Sequence, residues 1–252
     1  VIGLILYLTT PRIFGDSFLY KDVLYLSFFT ISLYFFFQSI DQLNYKNLLF
    51  LGLFSSLSVN LRIFSLLIPI IFIFIIFIKN FYRKNLVEDA KKVFFYLTFF
   101  FIFLYLFWPY LWSDPLKNFL DLFRYLTRDL IDVKIFYGGD YISNRIIPDI
   151  YILNWIFISS PLVLSGLSFF GILFYFFRFI KRFTKIKSEL IYNDLWRSTK
   201  EEKDFIIFIF LITFFMLFLL LNAPLYNGWR LLYFFNIFII YFAINFLYLL
   251  KV

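Results

Sequence analysis

Four aspartates, four cations and four aromatic residues sit in polar interruptions of an otherwise apolar chain, and their types suit acid–base and anion-binding chemistry. The aspartates are Asp16, Asp22, Asp114 and Asp140; the cations are Arg12, Lys21, Arg62 and Arg230; the aromatics are Trp112, Tyr137, Tyr226 and Trp229. An acid can orient or deprotonate a hydroxyl, a cation can hold a phosphate or pyrophosphate leaving group, and an aromatic face stacks on a sugar ring or lipid chain. There is no His and no Cys. Disulfides and a Cys/His zinc site are therefore excluded, and acid–base work falls to carboxylates, Lys or Tyr. No metal site and no cofactor are expected from these residues, although a carboxylate-held divalent cation stays open.

Each of these residues also has a purely structural reading. Arg12, Lys21 and Arg230 suit interfacial side chains that snorkel to lipid headgroups. Trp112 and Trp229 suit an aromatic belt. Asp16 could cap the helix that follows it, and Asp22 could be a first-turn acid favoured by the helix dipole. Arg62 is harder to explain in this way, because it interrupts a long apolar run.

The elements that must position these residues are membrane helices. The 252 residues are 63% hydrophobic with a mean hydropathy of +0.86, far above the roughly 45–50% apolar content of soluble domains. Apolar runs near the ~20 residues that cross a bilayer recur along the whole length. The expected fold is all-α, a polytopic transmembrane bundle of about seven membrane helices or half-helices in one domain, residues 1–252. Val1–Leu8 reads as the tail of an upstream helix closed by Pro11, so the chain is expected to be a fragment whose first outer loop is missing. Thr9–Asp22 is an anchor loop and Val23–Ile40 a full span. The run Leu48–Ile78 is too long for one untilted helix and splits at Asn60-Leu61-Arg62 into Leu48–Asn60 and Ile63–Ile78. Lys79–Lys92 is a basic loop, and Val93–Trp108 is the next span. Within the long polar region Leu116–Asp149, Asn118–Leu130 has the periodicity of a surface helix, and Gly138-Gly139 marks a tight turn. Tyr151–Phe177 is a span kinked at Pro161, Arg178–Asp204 a second basic loop, and Phe205–Leu221 and Leu231–Leu250 the last spans.

Orientation follows from Lys and Arg. With the anchor loop outside, the inner loops carry fifteen and the outer side nine, and five of those nine lie in one long loop whose charge counts less. The formal charge of +8 is thus mostly a topology signal, which argues against a nucleic-acid partner. The same orientation brings the anchor loop, the Arg62 turn, Trp112–Asp149 and Asn222–Arg230 to the outer face.

Three stretches carry a family resemblance: Thr10-Pro11-Arg12-Ile13-Phe14-Gly15-Asp16-Ser17-Phe18 with Lys21-Asp22, then Trp108-Pro109-Tyr110-Leu111-Trp112-Ser113-Asp114-Pro115, then Tyr226-Asn227-Gly228-Trp229-Arg230 with Tyr233-Phe234. In order and spacing the chain resembles bacterial membrane glycosyltransferases of the GT-C type, and more narrowly the branch related to dolichyl-phosphate-mannose–protein mannosyltransferases. It departs from that pattern at Leu231, where close relatives carry His, and at Asp149, where an aromatic is common. The resemblance implies a polyprenyl-phosphate-linked sugar donor and a protein, glycan or lipid acceptor, used on the periplasmic side of a bacterial inner membrane. It implies that Asp22 is the second site acid, with the family's usual catalytic base in the loop upstream of Val1; Asp16, by its residue type and place, is the other catalytic candidate. Donor-phosphate binding falls to Arg12, Lys21, Arg62 and Arg230, and sugar or acceptor contact to Trp112, Asp114, Tyr137, Tyr226 and Trp229. The alternative is a lipid-linked-sugar flippase or other polytopic transporter, which would use discontinuous helices and polar residues at mid-span.

Overall fold

A computed structural model describes residues 2–83, 86–127, 133–144, 146–184, 196, 198–220, 225 and 228–250. Its helices, in chain order, are α1 Ile2–Thr9, α2 Pro11–Asp16, α3 Tyr20–Asp41, α4 Tyr45–Leu61, α5 Leu67–Arg83, α6 Leu86–Phe107 and α7 Pro115–Thr127. A hairpin follows, β1 Lys134–Tyr137 and β2 Asp140–Ser143. Then come α8 Tyr151–Ser159, α9 Leu162–Phe183, α10 Thr199–Leu220 and α11 Phe235–Leu250. Among the described residues, every regular element apart from the hairpin is helical. Helices α3, α6, α9 and α10 are long and apolar enough to cross a membrane, and Ile63–Lys79 and Phe235–Leu250 are shorter apolar helices.

Several expected loops are helical. The anchor loop contains α2, because Pro11 at its first position presets φ and needs no N–H partner. Thr10 precedes it in extended conformation, and its hydroxyl donates back to the Leu6 carbonyl at 2.5 Å. Asp16 is accordingly the last residue of α2 rather than the cap of α3. The expected basic loop Lys79–Lys92 is mostly the end of α5 and the start of α6. Lys and Arg are good helix formers, so a helix continues past the point where its apolar window ends. The expected surface helix runs over Pro115–Thr127, and Arg128, Asp129 and Leu130 fall outside the described residues.

Two helix breaks do match the reading of the sequence. Helix α4 ends at Leu61, Arg62 is extended at φ −148° and ψ 114°, and a 3₁₀ turn Ile63–Leu66 leads into α5. Ser160 is likewise extended between α8 and α9, as the residue before Pro161 must be.

The chain divides into two compact units whose boundaries fall inside helices. The first comprises residues Val1–Val23, Arg124–Lys181 and Leu211–Val252. Here Gly171 on α9 lets the Phe242 backbone of α11 come so close that a Cβ would collide with the Phe242 carbonyl. Phe214 from α10 packs edge-on against Phe234 at 4.9 Å, and Tyr175 meets Phe242 at 5.5 Å.

The second unit comprises residues Leu24–Phe123 and Arg182–Phe210. Gly52 on α4 faces the Phe100 amide and Phe99 Cβ of α6 at 3.2 and 3.4 Å from its would-be Cβ. Phe36 contacts Phe72 and Phe210 at 5.5 and 5.2 Å. Lys79 is buried, pairs with Glu202 at 2.7 Å and donates to the Ile40 carbonyl at 3.1 Å. Lipid tails are as apolar as Phe, so burial alone gives membrane helices little reason to associate; close approach at small residues and satisfied polar pairs do. Gly52, Gly171 and the Lys79–Glu202 pair supply both.

Candidate functional site

The first unit gathers five of the expected residues into one cluster. Asp22 lies in the first turn of α3 and is 1% exposed. A carboxylate so enclosed needs compensation. The positive end of the α3 dipole supplies part of it, and the Arg230 Nε donates to Asp22 Oδ2 at 2.6 Å. Arg230 opens a 3₁₀ turn, Arg230–Leu232, directly after Gly228 and Trp229. Gly228 has φ +69° and stands 3.4 Å, measured from a would-be Cβ, from the Trp155 ring. That left-handed backbone suits glycine and turns the chain so that residue 230 meets Asp22.

Beside this pair, Arg12 and Asp16 form a second one within α2, Nε to Oδ2 at 2.6 Å. The Arg12 guanidinium also lies 5.4 Å from the centre of the Trp229 ring, a cation–π distance. Trp229 is fully buried, and its indole N–H donates to Ser159 Oγ at 2.6 Å. It serves as a floor under Arg12 rather than as an exposed belt anchor. The Tyr233 hydroxyl donates to the Ile13 carbonyl at 2.8 Å, which fixes α2 against the turn that carries Arg230.

Burial pushes the Asp16 carboxyl above the usual carboxylate range. The Arg12 charge and hydrogen bond oppose that shift, the Asp22 charge adds to it, and the Arg230 charge reduces it. Asp16 and Asp22 are thus electrostatically coupled. Two acids and two arginines make the cluster formally neutral.

The remaining expected residues are placed elsewhere. Lys21 is exposed in the first turn of α3. Tyr137, in the hairpin, accepts a hydrogen bond from Asn154 Nδ2 at 2.5 Å and contacts the Tyr151 ring at 5.0 Å. Asp140 is exposed opposite Tyr137. Tyr226 lies outside the described residues.

Arg62, Trp112 and Asp114 belong to the second unit. There the Arg62 guanidinium lies 5.3 Å from the centre of the Tyr25 ring, and the Tyr25 hydroxyl is 2.8 Å from Ser65 Oγ. Trp112 is exposed and donates from its indole N–H to the Tyr105 carbonyl at 2.7 Å, an acceptor near the end of α6 that the Trp108 amide also reaches at 3.4 Å. Asp114 caps α7, accepting from the Lys117 amide at 3.3 Å. Both have local structural duties.

Sequence reading overlooked Ser159 and Trp155, and it named Tyr233 without giving it a role. Gly228 was the available signal, because a glycine immediately before Trp-Arg marks a turn that must bring those side chains round. No three acids, among the described residues, converge closely enough to hold a metal ion. Comparison with family models, curated proteins and solved structures finds no match to the chain.

Proposed function

We propose that the protein is a membrane glycosyltransferase that moves a sugar from a polyprenyl-phosphate donor to an acceptor hydroxyl at the outer face of a bacterial inner membrane. The observation that carries this reading is the neutral double pair, Asp22–Arg230 and Asp16–Arg12, floored by Trp229. In the proposed reaction the donor phosphate displaces a carboxylate from Arg230 or Arg12, and the released aspartate accepts the acceptor's proton. The acceptor oxygen attacks the anomeric carbon as the bond from that carbon to the phosphate oxygen breaks. The electron pair leaves on the lipid phosphate, which the arginines stabilise. Asp22 and Asp16 are the candidate bases, Arg230 and Arg12 the phosphate holders, and Lys21 a supplementary cation. Arg62, Trp112, Asp114, Tyr137 and Tyr226 stay secondary candidates. No cofactor is required by this scheme. In the membrane the helices and half-helices make about seven passes, with the anchor segment 9–22 periplasmic.

A second reading, a lipid-linked-sugar flippase or other transporter, is favoured by the helix interruptions at Arg62 and at Ser160-Pro161. Transporter sites are commonly formed at such discontinuous helices.

The transferase reading requires the lipid phosphate to engage Arg230 and Arg12, which binding can test. Polyprenyl phosphate titrated into the purified protein should raise its thermal midpoint; a ligand at 100 times its Kd stabilises by about 2.7 kcal/mol. Arg230→Gln and Arg12→Gln should lose most of that rise. No rise at any concentration, or equal rises in both variants and the parent, contradicts the phosphate-binding role.

A further inference from the structure

The hairpin Lys134–Ser143 has two unlike faces. Its register pairs Phe136 with Tyr141 and Lys134 with Ser143 on one face, and Ile135 with Ile142 and Tyr137 with Asp140 on the other. Gly138 at φ 65° and Gly139 at φ 100° form the connection, the backbone that a two-residue hairpin turn demands. The second face is fixed to protein: Ile135 is buried, and Tyr137 rests on Tyr151 and Asn154 in the first turn of α8. The first face is open. Phe136 and Tyr141 contact each other at 5.3 Å and remain 59% and 73% exposed.

Two exposed rings on a small hairpin need a reason in any protein. Their place in the chain supplies one. The hairpin is pinned to the beginning of α8, the opening helix of an apolar segment that continues through α9, which is long and apolar enough to cross a membrane. Ile146 and Ile150, between the hairpin and α8, are also exposed. An aromatic pair at the level where an apolar segment starts, with a lysine on the same face, has the composition of a membrane-interface belt.

We propose that the Phe136–Tyr141 face of the hairpin docks on the bilayer, seating both rings among the lipid headgroups with Lys134 against anionic lipid. The contact holds the hairpin flat on the membrane beside the start of α8. The inference is independent of the proposed transferase activity, since it concerns a lipid surface and no reaction.

The test is a depth measurement. The chain has no cysteine, so Tyr141→Cys, Phe136→Cys and the opposite-face Asp140→Cys can each carry a single spin label. The labelled proteins are placed in phosphatidylcholine bilayers with and without phosphatidylglycerol. Collision with oxygen, which concentrates in lipid, is compared with collision with a water-soluble nickel chelate. Labels at 141 and 136 should show an oxygen-to-nickel ratio several-fold above that at 140. Phosphatidylglycerol should widen the difference, and Lys134→Glu should remove that widening. Equal water accessibility at all three sites, or labels at 141 and 136 shielded from both reagents as by a covering protein, would overturn the proposal. A lipid-exposed face that ignores phosphatidylglycerol would overturn the role of Lys134.

Discussion

Asp16 and Asp22 occupy different surroundings although six positions separate them, and those surroundings set what each can do. Asp22 is closed in, held by a helix dipole and by Arg230; Asp16 is partly open, and burial raises its proton affinity despite Arg12. For an acid whose folded pKa is raised, the folded protein keeps a proton that the unfolded chain releases. Between the ordinary carboxylate value and the raised one, stability therefore falls as pH increases. Asp16→Asn should flatten that slope in thermal midpoints measured across the weakly acidic range. Arg12→Gln, which removes the opposing charge, should extend the slope to higher pH; unchanged slopes in both variants would refute the assignment. The acids were legible in the sequence as polar residues in an apolar setting, and Asp22 was legible as a first-turn acid. The pairing of Asp22 with Arg230 was not, since the two lie 208 residues apart, and that of Asp16 with Arg12 at i,i+4 emerges only because the anchor segment is helical.

Helix contacts in this protein include close approaches at glycine as well as contacts among the abundant phenylalanines. Gly171→Ala must push α9 away from the α11 backbone, because the obstacle is the Phe242 carbonyl and not a flexible side chain. A cost of about 1–3 kcal/mol is expected for such overpacking. Gly166, in the same helix, has nothing within 4 Å of a would-be Cβ. Gly166→Ala should instead stabilise by about 0.5–1 kcal/mol through helix propensity. Thermal denaturation in detergent distinguishes the two, and equal effects would show that the close approach at Gly171 is not what joins these helices. At this scale the breaks at Arg62 and Pro161 were readable, because a polar Asn-Leu-Arg turn and a proline each act locally. Of the hairpin only the tight turn at Gly138-Gly139 was readable. Its alternation is blurred by aromatics on both faces, and only pairing and the packing of Tyr137 on α8 settle it. Helix α2 was hidden for another reason: a six-residue element has too short a pattern to stand out, and Pro-Arg and Gly-Asp read as loop.

Membrane character was the most legible property of the whole molecule, since the apolar composition points to it and four helices are long and apolar enough to cross a bilayer. Which polar segments share a side is a further step, resting on the Lys and Arg count. It predicts that Ser17→Cys reacts with a membrane-impermeant maleimide added outside intact cells and that Lys200→Cys reacts only after the membrane is opened. The reverse pattern would invert the topology and contradict the outer-face position proposed for the cluster. The most direct test of the central claim is transfer of radiolabelled sugar from a synthetic polyprenyl-phosphate donor, in membranes containing the protein or its Asp22→Asn and Arg230→Gln variants. At equal protein levels each variant should lose at least about 100-fold in rate, the lower range for removal of a positioned acid–base group. Transfer that persists in both variants would contradict the account, as would movement of the lipid-linked sugar across vesicles with no transfer at all.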